Sequence, residues 1–262
     1  MARILALSSQ VVSGHVGLSA IVPALQRLGH EVLPIPTILL SNHPGQQPAK
    51  GSRIEPAVQE EIIAALETNG RLTPLDAILT GYLPTAAHVA VAVAAVTRCR
   101  HLNKKLVVLC DPVIGDDPKG VYIDQAAAVA IRDHLLNSAD ILTPNRFELS
   151  WLSGLPVTDA ASAIVAARSL NRPLIIATSV PTSGEQLATL AVTPDTAAIA
   201  SVSRRTFAPN GTGDLLAALF LARYLEPTAT VDDALCWSVA EVERVLVASS
   251  GRAELHLTIA PN

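Results

Sequence analysis

The chain has 262 residues, of which half are apolar and only 3% aromatic, and a formal net charge of −4 at pH 7. This composition is typical of a helix-rich globular protein, and an α/β chain of this length commonly forms one domain. The charge is small and no basic run occurs, which disfavours a nucleic-acid or anionic-membrane surface.

The cysteines and the N-terminal segment indicate the cellular compartment in which the protein is expected to work. The three cysteines form no Cys-x-x-Cys pair and have no paired histidines nearby, which disfavours a disulfide scaffold and a zinc site. The N-terminal run MARILALSSQ lacks the length and cleavage pattern of a signal peptide. The longest Ala/Val stretch, 86–96, is far too short to cross a bilayer. These features predict a soluble cytoplasmic protein without a membrane partner.

Short apolar segments alternate with helix-length segments, which indicates parallel strands joined by crossover helices. In the first half, residues 40–53 and 111–123 are predicted loops. The prolines of the second strand place it at a sheet edge. The predicted strands are 3–8, 31–36, 76–80 and 106–110, and the predicted helices are 16–28, 56–68, 85–100 and 124–136.

In the second half, residues 187–192 and 197–202 are predicted to pair antiparallel because the gap between them is too short for a crossover. No repeat or composition break marks a linker, so we predict a single domain over residues 1–262. The predicted fold is α/β, with a central mostly parallel sheet and helices on both faces. The remaining predicted elements are strands at 141–142 and 174–178, helices from near 145 and at 158–170, and two final helices, the second over 231–249.

A glycine turn opens a long apolar helix at Gly211, Thr212, Gly213 and Asp214. Glycines at a helix entrance allow close approach of a ligand to free backbone N–H groups. Those groups and the helix dipole favour an anion such as a transferring phosphate. Asp214 at the rim can accept a proton from an attacking hydroxyl. The alternative is that Thr212 or Asp214 merely caps a core helix.

Ligands of doubly wound sheets bind beyond the carboxyl ends of the strands. Asp111 directly follows the strand 106–110, and Asp116 and Asp117 lie in the loop after it. Because Mg²⁺ needs only one or two carboxylates besides phosphates and water, these residues are candidate ligands. Asp, Pro and Gly are also ordinary loop formers. Lys119 in the same loop can neutralise a polyphosphate or be a plain surface lysine.

Two further strand ends carry polar residues. Asn145 and Glu148 have the spacing of a capping box. Glu148 can also hold metal-bound water, and the two roles are compatible. Thr143 offers a hydroxyl at the same rim, and Thr178 and Ser179 end the next strand.

Near the N-terminus, Ser9 ends the first strand and Gly14-His15-Val16-Gly17 leads into its helix. His43 lies in the turn SNHPG, where it can touch a ligand. No Walker A, Gly-x-Gly-x-x-Gly or Gly-x-Ser-x-Gly pattern occurs. The P-loop, dinucleotide-binding and nucleophile-elbow classes are therefore not supported.

In their order along the chain, these motifs resemble those of the pyridoxal kinases of the ribokinase-like superfamily. The resemblance implies a ribokinase-like fold and ATP-dependent phosphorylation of the 5′-hydroxymethyl of pyridoxal, which yields pyridoxal 5′-phosphate in vitamin B6 salvage. The segments that carry it are VVSGHVGLSA, PALQRLGHEV, LLSNHPG, LTGYLP, VLCDPVIGD, ADILTPNRFEL and GTGDLLAALFLARYL.

The resemblance implies roles for single residues. Asp214 matches the base that activates the hydroxymethyl, and Gly211, Thr212 and Gly213 match the anion hole. Asp116 and Glu148 match positions associated with Mg²⁺. A monovalent cation such as K⁺ is associated with Asp111, Thr143 and Thr178. The positions that match the ATP site are Asp111, Thr143, Glu148, Thr178, Ser179, Asn210, Thr212 and Gly213.

The substrate pocket is also implied by the resemblance. Ser9 matches the residue that binds the pyridine ring, and Val16 and Tyr82 match its wall. The loop 111–122 resembles a mobile flap over ATP, and the family implies a homodimer. Phosphoryl transfer depends on positioning and charge neutralisation, and a closed flap excludes water.

The chain departs from its relatives around the substrate. Pro44-Gly45 follows Ser-Asn-His, where many relatives carry a threonine that touches the vitamer. Ser13 replaces a tyrosine or arginine, and Thr178 stands where some members have lysine. The vitamer preference therefore stays open, with His43 as a substitute contact.

Two alternative functions remain besides that of a pyridoxal kinase. A hydroxymethylpyrimidine kinase shares the fold, but such relatives often replace the aspartate of the glycine turn by cysteine, and this chain keeps Asp214. A non-catalytic binder of B6 vitamers would fit the altered loop at Pro44. A pure binder has no chemical reason to carry Asp111, Asp116, Glu148 and Asp214 together.

Overall fold

The computed structural model describes residues 1–257, so the last five residues of the domain predicted over 1–262 lie outside the described part. Its strands are β1 (Arg3–Val11), β2 (Glu31–Leu40), β3 (Gly51–Arg53), β4 (Ala77–Thr80), β5 (Val107–Cys110), β6 (Gly115–Asp116), β7 (Gly120–Val121), β8 (Ile141–Leu142), β9 (Leu174–Pro181), β10 (Gln186–Val192) and β11 (Ala197–Ser203). Its α-helices are α1 (Leu18–Arg27), α2 (Pro56–Thr68), α3 (Ala86–Leu102), α4 (Gln125–Ala130), α5 (Arg146–Ser153), α6 (Ala160–Ser169), α7 (Thr212–Tyr224) and α8 (Val231–Ala248).

One nine-stranded sheet organises the described chain, in the order β11-β10-β9-β8-β5-β4-β1-β2-β3. The strands from β2 through β1, β4, β5 and β8 to β9 run parallel. The pairs β9–β10, β10–β11 and β2–β3 are antiparallel. The mostly parallel sheet and its antiparallel final pair are therefore confirmed.

Helices cover both faces of the sheet, because the strands are apolar on both sides. In β1, Leu5 and Leu7 pack in the core beneath α2 to α6, and Ile4 and Ala6 pack in the core beneath α1, α7 and α8. Helix α7 is buried around most of its circumference, with Phe220 fully enclosed. The apolar run after the glycine turn is thus a central helix of the second core.

The proline-containing half of β2 pairs only with β1, so the predicted edge position is confirmed there. The second half of β2 pairs with β3, which lies inside the predicted loop 40–53. That loop prediction is wrong at its end, because the chain reverses and Ser41 N–H donates to Lys50 O at 2.7 Å. Residues 51–53 then supply the outermost strand.

Two other predictions need correction. The predicted loop 111–123 contains a small hairpin of β6 and β7, and Gly120 at a φ of 75° allows the reversal. The predicted helix 124–136 is α-helical only to Ala130; a π-helical turn (Ile131–Leu135) and a 3₁₀ turn (Leu136–Ser138) follow. The widened turn keeps Ile131, Leu135 and Leu136 buried against the sheet.

The parallel strands β1, β4, β5, β8 and β9 place their carboxyl ends at one edge of the sheet. The predicted strand-end residues therefore meet at that edge, as expected for a doubly wound sheet. None of the helices in residues 1–257 is both long and apolar enough to cross a membrane.

Candidate active site at the carboxyl edge of the sheet

The glycine turn is pressed against the loop that follows β1. Gly211 is the N-cap of α7 and has a φ of 93°. A Cβ at this position would lie 1.9 Å from His15 O and 3.2 Å from the Val16 Cα, so only glycine fits. The glycine turn and the loop 14–17, which are far apart in sequence, therefore form one unit.

Within residues 1–257, no side chain caps the N-terminus of α7. The Thr212 hydroxyl donates to Pro209 O at 2.8 Å, and Asp214 accepts a hydrogen bond from another loop. The alternative in which Thr212 or Asp214 caps this helix is therefore wrong. In the described part of the chain the first amides of α7 have no side-chain acceptor, which is the condition for anion binding at a helix N-terminus.

Asp214 is held by the loop after β1. Its Oδ2 accepts a hydrogen bond from Gly17 N–H at 2.9 Å, and its Oδ1 lies 3.9 Å from the position of a Cβ at Gly81. Desolvation raises the pKa of Asp214 to about 6, although the Gly17 amide lowers it. A carboxyl with this pKa is mostly ionised at neutral pH and remains a competent proton acceptor.

Glu148 forms the predicted capping box with Asn145 and also faces the β5–α4 loop. Its Oε2 accepts from Asn145 N–H at 2.9 Å, and its Oε1 accepts from Ile114 N–H at 2.8 Å. Burial raises the pKa of Glu148 to about 7 against the lowering effect of these amides, and Asp116 raises it further. The cap therefore coexists with a buried carboxylate directed at the loop.

Asp111 completes a group of carboxylates at this edge. Burial raises the pKa of Asp111 well above its ordinary range, and Glu148 and Asp214 raise it further. The Thr143 hydroxyl lies beside Asp111 and opposes this shift, although it makes no hydrogen bond of ordinary geometry. Raised pKa values at all three carboxyls indicate negative charge that the surrounding side chains do not balance.

Asp116 lies on the exposed β6–β7 hairpin, where its Oδ1 accepts from Asp117 N–H at 2.8 Å. Among residues 1–257, no three His, Cys, Asp or Glu side chains converge into a complete metal site. Mg²⁺ does not need one, because nucleotide phosphates and water supply its other ligands. The unbalanced carboxylates Asp111 and Glu148, with Asp116 nearby, fit a divalent cation that arrives with a nucleotide.

Tyr122 was predicted only as the last residue of the loop 111–122, but it belongs with the residues of the candidate site. Partial burial raises the pKa of its phenol, and the carboxylates of Glu148, Asp111, Asp116 and Asp214 raise it further. The residue is still 47% exposed, so it is near the carboxylates and also open to solvent. Its place at the end of a Gly-containing hairpin was the only signal in the sequence.

The residues after β8 meet the second half of β9 beside these carboxylates; the prediction that Thr178 and Ser179 end that strand is wrong, because β9 continues to Pro181. Thr143 is buried, and Thr178 N–H donates to Pro144 O at 2.9 Å. Ser179 follows with a φ of 58°, an unusual conformation for a residue other than glycine, and is exposed. These residues form a rim that is partly polar and partly open to solvent.

A small cleft lies beside the loop 14–17. It brings together Val16, His43 and Asn210, which were predicted from separate motifs. Ser9 is not among its lining residues; it occupies a bulge of β1, and a Cβ at Gly17 would lie 2.3 Å from its Oγ.

Tyr82 also lies outside this cleft. Its N–H donates to Ser8 Oγ at 3.1 Å, and its backbone carbonyl accepts from Thr37 Oγ1 at 2.7 Å. Burial raises the pKa of its phenol, and Arg53 opposes that shift. The backbone of Tyr82 is thereby fixed between β1 and β2.

The departure at Gly45 has a structural consequence for His43. Gly45 N–H donates to His43 Nδ1 at 3.1 Å, and a Cβ at Gly45 would lie 2.9 Å from that nitrogen. Burial, followed by the charge of Lys119, lowers the pKa of His43. The imidazole is therefore neutral at pH 7, and since Nδ1 accepts, we infer that Nε2 carries the proton and can donate to a ligand.

Comparison with known proteins identifies relatives of this arrangement. The family model described as phosphomethylpyrimidine kinase matches residues 13–256. The pyridoxal kinase PdxY of Corynebacterium diphtheriae is 37% identical over 88% of this chain and 83% of its own. The structure of pyridoxal kinase from Leishmania donovani with ADP and pyridoxamine has a TM-score of 0.91 at 30% identity, covering 98% of this chain and 94% of the other.

A pyridoxal kinase structure from Entamoeba histolytica matches equally well, with a TM-score of 0.91 at 28% identity over 98% of this chain and 93% of the other. The sheet, the open α7 N-terminus and the carboxylates at one edge define a kinase of the ribokinase-like class. Within that class, the chain belongs to the pyridoxal kinase family, as its motifs predicted.

The raised pKa of Asp214 predicts that its negative charge lowers the free energy of unfolding, by an amount that depends on pH. Between about pH 4 and pH 6 the unfolded chain loses this proton while the folded protein keeps it, so this carboxyl lowers stability as the pH rises. We expect Asp214→Asn to raise the free energy of unfolding by about 1–3 kcal/mol near pH 8, and by almost nothing near pH 4. Urea denaturation at the two pH values measures this difference.

The matched control is Asp195→Asn, which removes the same charge from an exposed position in the β10–β11 turn. We expect it to change stability little at either pH. An Asp214→Asn protein that is no more stable than the wild type near pH 8 would show that this carboxylate is not under electrostatic strain.

Proposed function

We propose that the protein is an ATP-dependent pyridoxal kinase, which transfers the γ-phosphoryl group of ATP to the 5′-hydroxymethyl of pyridoxal. The observation that carries the proposal is the uncapped N-terminus of α7 with Asp214 hydrogen-bonded beside it, at the same sheet edge as Asp111 and Glu148. The relatives named pyridoxal kinases support the substrate. The pyridoxal kinase structures that contain ADP and a B6 vitamer support ATP as the phosphoryl donor.

Asp214 acts as the general base. Its carboxylate takes the proton of the 5′-hydroxymethyl, and the oxygen so exposed forms a bond to the γ-phosphorus while the bond from that phosphorus to ADP breaks. The amides of Gly211, Thr212 and Gly213 receive the charge of the transferring group. Because the Gly17 amide fixes Asp214, the proton acceptor and the anion site keep a constant separation.

Asp116 and Glu148 are proposed to hold Mg²⁺ together with the ATP phosphates. A divalent cation there would neutralise phosphate charge and also relieve the carboxylates described above. Asp111, Thr143 and Thr178 are proposed to hold a monovalent cation such as K⁺. Ser179 and Asn210 are proposed as further nucleotide contacts.

The pyridoxal pocket is proposed to lie between the loop 14–17 and the loop that carries His43. His43 donates from Nε2, Val16 supplies apolar contact, and Ser9 and Tyr82 line the side toward β1 and β4. The 111–122 flap, with Tyr122, closes over ATP and excludes water from the transfer. We further propose that residues 1–262 form one domain, which acts as a cytoplasmic homodimer in B6 salvage.

A hydroxymethylpyrimidine kinase is the second candidate, because the matching family model is described as phosphomethylpyrimidine kinase. Both substrates present a hydroxymethyl group on a nitrogen heterocycle, so the same base and anion site would serve either. The aspartate at position 214 and the identity to pyridoxal kinases favour pyridoxal. Direct competition of the two alcohols for the purified enzyme with ATP separates the candidates.

The central test is ADP release when pyridoxal is added to the protein with ATP and Mg²⁺. We expect turnover by the wild type and a reduction of about 10²–10⁴-fold in Asp214→Asn, since the amide cannot accept the proton. ATP affinity, measured by calorimetry, is expected to stay nearly unchanged in the variant.

Binding of pyridoxal without ADP release by the wild type would identify a binder rather than a kinase. Near-wild-type turnover by Asp214→Asn would instead remove the carboxylate from the role of base. The Asp195→Asn protein serves as the charge control and is expected to keep full turnover.

His43→Ala tests the pocket. We expect a higher KM for pyridoxal, by about tenfold for the loss of one donor hydrogen bond, and little change in the KM for ATP. The exposed His134 on the π-helical turn provides the control His134→Ala. An unchanged KM for pyridoxal would leave His43 with a structural role only.

A further inference from the structure

The small cleft beside His43 has one wall that no motif predicted. That wall comes from the C-terminal segment, where Ala253 and Glu254 face His15 and Val16 across the opening. The Glu254 carboxylate lies over Gly14, since a Cβ built there would be 3.1 Å from Oε1. Gly14, at a φ of 94°, therefore leaves room for a carboxylate at the mouth of the cleft.

The C-terminal segment is anchored on both sides of Glu254. Leu255 and Leu257 are buried in the core under α1, α7 and α8. His256 N–H donates to Ser249 Oγ at 2.9 Å, and Arg252 N–H donates to Ser249 O at 2.9 Å. The carboxylate is therefore held at the cleft by packing of its neighbours and not by chance placement of a loose end.

Glu254 is half-buried, and no hydrogen bond or ion pair joins its carboxylate to the rest of residues 1–257. His15 also lines the cleft, but its Nδ1 is buried and makes no hydrogen bond within the described chain. The unpartnered polar group that reaches the opening is the Glu254 carboxylate. A carboxylate in particular selects a donor or a cation.

The loop 14–17 connects this carboxylate to the reacting site. On one flank it contacts the glycine turn and Asp214, through His15 O and Gly17 N–H. On the other flank, at Gly14, it contacts Glu254. In the function proposed above the hydroxymethyl of the substrate lies at Asp214, so this loop is the element that connects that position to Glu254.

We propose that Glu254 determines vitamer preference and favours a substrate with a cationic or donor group at the ring 4-position. This proposal rests on the function proposed above. The three vitamers share the ring, the 3-hydroxyl and the 5-hydroxymethyl and differ only at position 4. Pyridoxamine carries an ammonium there, pyridoxine a hydroxyl donor, and pyridoxal an aldehyde that can only accept. Glu254 thus attracts pyridoxamine most and pyridoxal least.

The test is steady-state kinetics of Glu254→Gln with all three vitamers at saturating ATP. We expect the KM for pyridoxamine to rise about tenfold, that for pyridoxine to rise less, and that for pyridoxal to stay within about twofold, with kcat unchanged. The isosteric amide keeps the shape of the cleft, and thermal unfolding checks that the variant folds. Glu61→Gln, on the exposed face of α2, removes the same charge far from the cleft and is expected to change no KM.

Three outcomes are distinguishable. A rise confined to pyridoxamine and pyridoxine supports the assignment. An equal change for all three vitamers, or none, overturns it, because the carboxylate would then contact a shared group or no part of the substrate. A wild-type protein that phosphorylates none of the three overturns the proposed function itself.

Discussion

The structure depends on the contact between the entrance of α7 and the loop after β1. Gly211 approaches His15 so closely that no side chain fits, and Gly17 N–H donates to Asp214 across 197 residues of sequence. This contact joins the N-terminal end of a core helix to the loop that bears the cleft. The fold therefore holds Asp214, the first amides of α7 and the cleft together, and the proposed phosphoryl transfer needs such a fixed arrangement.

The second constraint is electrostatic. Burial of Asp111, Glu148 and Asp214 near one another raises the pKa of each, so the protein carries charge that costs stability. Structural carboxylates are normally paired, whereas the function proposed above places a nucleotide and its cation beside these three. Such strain at a functional site is expected when the ligand completes the balance of charge.

Local patterns in the sequence predicted the features that depend on interactions within a few residues, such as helix bounds and helix caps. The helix predicted over 56–68 is α2 (Pro56–Thr68), and the Asn145–Glu148 box caps α5, because capping and periodicity act within a few residues. The mostly parallel sheet followed from alternation of strand and helix. The widened turn after Ala130 and the edge strand β3 had no comparable local signal.

Contacts between distant segments were not predictable in the same way. The bond from Gly17 to Asp214 needs the sheet to be assembled first, and so does the approach of Glu254 to Gly14. Tyr122 follows the β6–β7 hairpin, and the carboxylates that raise the pKa of its phenol come from other segments of the chain as well. The resemblance to pyridoxal kinases implied the roles proposed for Asp214 and Glu148, and only the fold brings these residues to one edge.

The most direct measurement is a crystal structure of the protein with ADP, aluminium fluoride as a mimic of the transferring phosphoryl group, and pyridoxal. The account predicts fluoride atoms about 3 Å from the first amides of α7, and the 5′-hydroxymethyl oxygen within hydrogen-bond distance of Asp214. A mimic bound away from the glycine turn, or a pyridoxal whose hydroxymethyl points away from Asp214, would contradict it.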